Sequence, residues 1–501
     1  MTLSDPVATS DARDALPEIR HFIDGTYRAS TNGRTFPKYR PYDGRHIFDV
    51  CEGGREEIDA AVGAARAALH GPWAKVSVDD RADLMRAIAA GITKRFDDFV
   101  SAEMNDTGQP ISAMRHAFVP RGAANFNAFA DLVKAVSTEC FHTETPDGRG
   151  ALNYAIRKPT GVIGVISPWN APFLLMTWKV APALACGNTV VVKPSEETPS
   201  TATLLGEVMN EAGVPNGVYN VVHGFGPDSA GAYLTEHQDV DAITFTGETR
   251  TGTAIMQAAA RGVRDVSFEL GGKNSAIIFA DADLDAVLEG LMRSVFLNTG
   301  QVCLGTERVF VERPLFDRFV SALAERVKGL KPGHPEGAAT SFGPLISSEH
   351  RKKVLSYYRR AEADGAVIVS GGGVPELPAE LSSGSWIEPT IWTGLPDDHP
   401  VIQEEIFGPC CHVRPFDTEK EVIGLANDTL YGLSSTIWTQ NLSRAHRMAA
   451  AIDVGVTWVN SWFLRDLRTP FGGTKQSGIG REGGIHSLEF YSELRNICVK
   501  L

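Results

Sequence analysis

Long apolar runs are missing from this 501-residue chain, and none approaches the ~18 residues that a spanning helix requires, so no membrane partner is expected. Positive charge is also in short supply. The 48 Lys and Arg stand against 61 Asp and Glu, for a net charge of -13, which argues against nucleic acid or an anionic surface as partner. An anion bound by such a chain must be met by a local group of cations. The seven cysteines, at 51, 140, 186, 303, 410, 411 and 498, form no C-x-x-C pair, so neither a metal site nor a redox dithiol is expected. A reducing cytoplasm fits that usage, and the opening MTLSDPVATSDARDALPEIR lacks the apolar core of a secretory signal. Internal repeats are absent, and only GGG near 371 is low in complexity.

What the chain does have is length for a large core and an alternation of short apolar runs with helix-like segments. GVIGVI, TVVVKP, VYNVV and AITFTG are separated by LLMTWKVAPALAC, STATLLGEVMNEAG and SAGAYLTEH, and GTAIMQAAA follows. Continuous apolar strands joined through helices indicate parallel βαβ units, so the fold class is α/β. A second series runs from SFELGG through NSAIIFA, the helix-like DLDAVLEGLMRSVFLNTG, RVFVE and PLFDRFVSALAERVKGL. It reads as a second α/β domain. The mixed stretch from Glu139 to Lys158 and the alternating HSLEFYSELRNICVKL read as exposed edge strands suited to oligomer contacts.

Three segments carry residues suited to nucleophilic chemistry. In LNTGQVCLGTER, Cys303 lies between Gly300 and Gly305, which leave backbone room for a ligand. A lone cysteine is ordinarily a small buried hydrophobe; as a nucleophile it must be an accessible thiolate near an N–H donor. In SFELGGKN, Glu269 ends a strand before a Gly-Gly break, where a parallel sheet presents functional groups; a helix cap or a surface ion pair is the other reading. In ISPWNAP, Asn170 sits between two prolines, rigid enough to donate to an oxyanion, or simply in a turn. A second set points to a dinucleotide. Lys193 and Glu196 of KPSEE can bind the two hydroxyls of an adenosine ribose, and a carboxylate there would repel a 2'-phosphate, favouring NAD over NADP. In FTGETRTG, Gly247 and Gly252 leave a helix N-terminus open to a pyrophosphate, or make a tight turn.

The ordered set SPWN, KPSE, FTGE, ELGGKN, GQVCLGTER, EEIFGP and PFGGTKQSGIGREGG resembles that of the NAD(P)-dependent aldehyde dehydrogenase superfamily, from about residue 20 to the end. The resemblance implies a Rossmann-type NAD-binding domain (1–138 and 160–268), a catalytic domain (269–470) and a small β oligomerisation element (139–159 and 484–501) in a homodimer or homotetramer. It implies Cys303 as nucleophile, Glu269 as general base, and Asn170 with the Cys303 N–H as oxyanion donors. NAD would lie against Ile166, Trp169, Lys193, Glu196, Gly247, Glu248, Leu270, Glu405 and Phe407. Many members have Ser after FTG, whereas this chain has Glu248.

In WVNSWFLRDLRTPFGG, Arg465 and Arg468 sit in apolar, aromatic company, where arginine is not normally admitted unless paired. With PRGAANF around Arg121, this stretch resembles the branch that oxidises 2-hydroxymuconic semialdehyde in meta-cleavage breakdown of aromatic compounds. Its substrate has an aldehyde at one end and a carboxylate at the other. A guanidinium pairs with a carboxylate through two parallel hydrogen bonds, so Arg121 and Arg465, with Trp178, are the expected substrate contacts. Arg465 could instead pair with Asp466 or another acid as a structural ion pair, and Arg468 reads as structural. The 2-aminomuconic compound, another acid semialdehyde, and a non-catalytic binding protein are the competing readings.

Overall fold

The structure, a computed structural model, describes residues 17–501; the rest of the N-terminal segment lies outside the described residues. The apolar runs of the first half form the centre of an eight-stranded sheet. Its strands run in the order Gly478–Ile479, Asp265–Glu269, Ala242–Thr246, Val162–Ile166, Thr189–Lys193, Tyr219–Val221, His21–Ile23 and Thr26–Arg28. The five central strands are parallel, and both edges are closed by antiparallel additions. Val162–Ile166, Thr189–Lys193 and Ala242–Thr246 are buried along their full length, as expected for a sheet covered by helices on both faces. The strand order reverses at Val162–Ile166, and the carboxyl ends there carry Ile166, Lys193, Thr246 and Glu269. In open α/β sheets that crevice is where ligands bind.

The second sheet has seven strands, ordered Val367–Ser370, Thr390–Thr393, Cys410–Phe416, Thr306–Glu312, Asn274–Ile278, Ser434–Trp438 and Val456–Val459. All but Val367–Ser370 pair in parallel. The two sheets are joined at Glu269–Asn274, where the Leu-Gly-Gly-Lys link carries the chain from one to the other. Gly478–Ile479 returns to pair with Phe268 and Glu269, so the C-terminal part crosses back over the base of that link.

A third, antiparallel sheet of three strands joins Ser492–Lys500 to Ala151–Pro159 and Cys140–Thr143. The two expected edge segments therefore pair with each other, in register from Ser492↔Pro159 to Lys500↔Ala151. Two expectations need correcting. Residues Gly484–Phe490 form a helix that buries Ser487 and Leu488, with the Ser487 hydroxyl accepting from the Gly483 N–H at 2.8 Å; only Ser492–Lys500 is strand. The helix expected through Gly300 stops at Phe296, because Asn298, Thr299 and Gly300 take positive φ of 53°, 57° and 71°.

Candidate active site

The positive-φ turn aims the chain from the end of the Leu284–Phe296 helix into the cleft, where Cys303 packs beside Leu304, Leu433, Trp458, Trp462 and Phe471. Side-chain amides fasten it there. Asn274 donates to the carbonyl oxygens of Cys303 at 2.7 Å and of Gly305 at 2.8 Å, and Asn298 donates to those of Asn170 at 2.7 Å and of Gln301 at 3.1 Å. The Asn170 amide donates to the Gln301 carbonyl at 3.0 Å, so one of its two N–H groups is used in holding the nucleophile loop and one is left to give.

Cys303 retains partial exposure, but its thiol is pushed up to about 12, first by burial and then by the carboxylates of Glu269 and Glu405. Burial and the neighbouring carboxylates thus favour the thiol form of Cys303 over the thiolate in the free site. The Leu304 N–H and the Arg465 charge oppose the rise without cancelling it. Glu269 ends its strand as expected, is 5% exposed, and has no hydrogen-bond partner on either carboxyl oxygen among the described residues. Its pKa is raised, foremost by burial and next by Glu482, while Lys179, Arg465 and Arg481 oppose the rise. A buried, proton-retaining carboxyl beside a thiol is the environment of a general base.

Sequence reasoning missed the charged groups that act on that carboxyl without bonding to it. Lys179 donates to Glu482 at 2.6 Å and to the Thr244 hydroxyl at 3.0 Å, with both charged groups buried. A lysine inside the otherwise apolar FLLMTWKVAPALA was the available signal.

Arg465 lies between two aromatic faces, its guanidinium carbon 4.5 Å from the Trp178 ring centre and 3.9 Å from that of Phe471. Its Nε and Nη2 are sealed from solvent and unpartnered among the described residues. Asp466 turns the other way and takes Arg468 at 2.6 Å, an exposed pair, so the expected structural role of Arg468 and the freedom of Arg465 have one cause. Arg121 reaches the same Trp178 ring at 5.4 Å and donates to the Asn125 side-chain oxygen at 3.0 Å. Among the described residues neither Arg121 nor Arg465 forms an ion pair with a carboxylate, and each is lowered to about 10 by burial; the Arg465 charge adds to the effect on Arg121, while Glu482 and Glu269 oppose it on Arg465. Trp178 is 2% exposed and its indole N–H is also unpartnered among the described residues.

The residues expected to meet a dinucleotide lie in part at the carboxyl ends of the first sheet's strands and in part, at Glu405 and Phe407, on the side of the second sheet. Lys193 Nζ lies 3.3 Å from the Glu196 carboxylate, Ile166 ends the Val162–Ile166 strand, and Leu270 follows the Asp265–Glu269 strand two places along the sheet. Glu405 accepts the Gly272 N–H at 2.7 Å, and Phe407, at a φ of 62°, sets its ring edge on Trp169 at 5.3 Å. Gly247 and Glu248 precede the Thr249–Ala260 helix, but the exposed Glu248 carboxylate binds Arg250 at 3.0 Å and does not cap the helix. Gly252 lies inside that helix, where an added Cβ would press on Leu270 Cδ2 at 2.8 Å, so its role is close helix-to-strand packing.

A doubly wound parallel sheet of the Rossmann type, facing a second α/β sheet with a half-buried cysteine on the loop that enters it, defines an α/β enzyme class with a dinucleotide crevice. Residues 27–497 match the aldehyde dehydrogenase family, and the chain belongs to it. It is 67% identical to a 2-hydroxymuconic semialdehyde dehydrogenase of Pseudomonas sp. (strain CF600), over 97% of this chain and 100% of that protein. It is 58% identical to a 2-aminomuconic 6-semialdehyde dehydrogenase of Pseudomonas sp., over 97% and 99%. The NAD+ complex of an aldehyde dehydrogenase from Bacillus cereus superposes with a TM-score of 0.93 at 37% identity, covering 97% of each chain.

Proposed function

We propose that the protein oxidises 2-hydroxymuconic 6-semialdehyde to the dicarboxylate, with NAD as hydride acceptor, in the meta-cleavage breakdown of aromatic rings in the cytoplasm. The observation that carries the substrate class is the pair Arg121 and Arg465, two largely enclosed guanidinium groups over the Trp178 ring that form no ion pair among the described residues. Leaving Arg465 unpaired beside Arg121 is costly in the free protein, and a substrate carboxylate removes that cost. The aromatic faces of Trp178 and Phe471 enclose the Arg465 guanidinium and would desolvate its pair with a carboxylate. The higher identity to the hydroxymuconic relative favours the hydroxy over the amino compound.

The crevice residues fit NAD: Lys193 and Glu196 suit the ribose hydroxyls, the unpartnered Thr246 hydroxyl faces the strand end, and the Trp169–Phe407 pair offers an apolar wall. When bound, NAD takes up hydride from the substrate carbon. The residues do the rest. Cys303 Sγ bonds to the aldehyde carbon as its proton passes to the Glu269 carboxylate, and the oxyanion is held by the free Asn170 N–H and the Cys303 backbone N–H. Loss of hydride leaves a thioester. After Glu269 has released its proton, it takes one from a water molecule whose oxygen attacks the thioester carbon; the C–S bond breaks, freeing the carboxylate product and the sulfur. We assign 1–138 with 160–268 to cofactor binding, 269–470 to catalysis, and 139–159 with 484–501 to a dimer or tetramer contact.

Arg465→Ala tests the substrate class. Losing a charge-assisted contact of about 1.5–3 kcal/mol raises KM for the carboxylated semialdehyde about 10- to 100-fold. Activity on hexanal should change little. Equal loss on both substrates would make Arg465 a fold residue, and an inactive wild type across an aldehyde panel followed by NADH absorbance would end the enzymatic reading.

A further inference from the structure

One buried acid at the cleft has no part in the chemistry above. Glu307 lies on the Thr306–Glu312 strand, four residues beyond Cys303, and is 7% exposed. Its carboxylate is in contact with the ammonium of Lys273, itself 2% exposed and next in sequence to Gly271-Gly272. The same carboxylate accepts the N–H of Phe407 at 2.9 Å and that of Ile406 at 3.1 Å. His350 Nε2 sits 2.8 Å from the Phe407 carbonyl oxygen, so this peptide is gripped on both sides. The grip has a purpose in physical terms, because a phenylalanine at a φ of 62° is strained and persists only where its surroundings over-determine it.

A buried ion pair is seldom kept for stability, since a packed apolar pair of similar volume does as well or better. Here the carboxylate also joins two segments. Glu405 reaches from the turn to the Gly272 N–H, and Lys273 reaches from the Gly-Gly segment to Glu307, which in turn holds the turn. We infer that Glu307 is a positioning residue for the nicotinamide end of the cofactor: it holds the Glu405–Phe407 turn in its strained form, and its contact with Lys273 anchors it to the Gly-Gly segment. The inference rests on the reading that Glu405 and Phe407 meet that end of NAD. Burial pushes the Glu405 carboxyl up to about 7, and the Glu307 charge adds to the push while Lys273 relieves it.

The test separates placement of cofactor from integrity of the thiol site. Glu307→Ala should raise KM for NAD about 10- to 100-fold with hexanal as substrate, as expected for a misplacement on the order of 1 Å. Hydrolysis of 4-nitrophenyl acetate without NAD, which needs Cys303 and Glu269 alone, should stay within about threefold of wild type. Glu307→Ala strands a buried ammonium, so two uncharged double variants carry the test if it does not fold. Lys273→Met with Glu307→Gln keeps an acceptor for the two N–H groups and should hold KM for NAD within about threefold of wild type. Lys273→Met with Glu307→Leu lacks the acceptor and should show the full rise. An unchanged KM for NAD in the Leu double variant, or ester hydrolysis falling in step with aldehyde oxidation, overturns the inference. Glu405→Gln, measured beside them, locates the fault: if it too leaves KM for NAD unchanged, the cofactor reading of the turn has failed and takes the inference with it.

Discussion

Burial, and after it the charge of Glu269, raises the proton affinity of the Cys303 thiol, which favours a site that gives up its protons only when substrate and base act together. Because burial and Glu482 raise the pKa of Glu269, its base form grows as pH climbs through neutrality and above. The wild-type kcat should therefore rise with pH, with a slope approaching about tenfold per unit on the acid side. Glu269→Gln should lose about 10²- to 10⁴-fold in kcat and abolish that limb. A pH-rate profile of both proteins checks this, and a limb that survives in Glu269→Gln would assign it to another group. At this scale the sequence was readable where a side chain stands out from its neighbours. Cys303 and Glu269 flank glycines, and Arg465 sits among aromatics. The Lys179–Glu482 pair was not readable, because its members are 303 positions apart and meet only through the folded chain. That Asp466 would choose Arg468 over Arg465 depends on side-chain direction in an irregular loop, which no periodicity encodes.

Elements follow the same division. Strands such as Val162–Ile166 and Ala242–Thr246 were legible because a fully buried strand is a continuous apolar run bounded by breaks. The Gly484–Phe490 helix was not, since seven residues satisfy a period of 2 nearly as well as one of 3.6. The Leu297–Gly300 turn is the element with most influence on function, because three successive left-handed residues set the direction of the Cys303 loop. Gly300 has a second constraint: a Cβ there would collide with the Gly408 carbonyl and the Pro409 nitrogen, next to Phe407. Gly300→Ala should cost about 1–2 kcal/mol for the left-handed backbone, with the collision adding to it. Urea unfolding would show the lowered midpoint, and both KM for NAD and kcat should worsen because one side chain disturbs two segments. A variant with unchanged midpoint and kinetics would show that the turn relaxes without moving the loop.

For the whole molecule, the third sheet raises a problem of its own edges. The Cys140–Thr143 strand is exposed at all four residues, and Ser492–Lys500 leaves Leu494 and Val499 exposed at 53% and 44%, with Phe141 at 60%. A two-sided, solvent-facing sheet with apolar side chains at its rim is a template for pairing with another chain unless something covers it. A second copy of this chain is the economical cover, because a two-fold or dihedral assembly brings the same patch to itself. No ion pair or helix among the described residues closes the Cys140–Thr143 edge, so the apolar rim and the open backbone edge point to the same contact. Phe141→Glu combined with Leu494→Glu places like charges where copies would meet, and should shift sedimentation from a multiple of 54.1 kDa to the single-chain value. Activity per chain should fall only as far as the cleft depends on the assembly for rigidity. A wild type that sediments as a monomer, or a double variant that stays assembled, would mean that the exposed rim serves some other purpose.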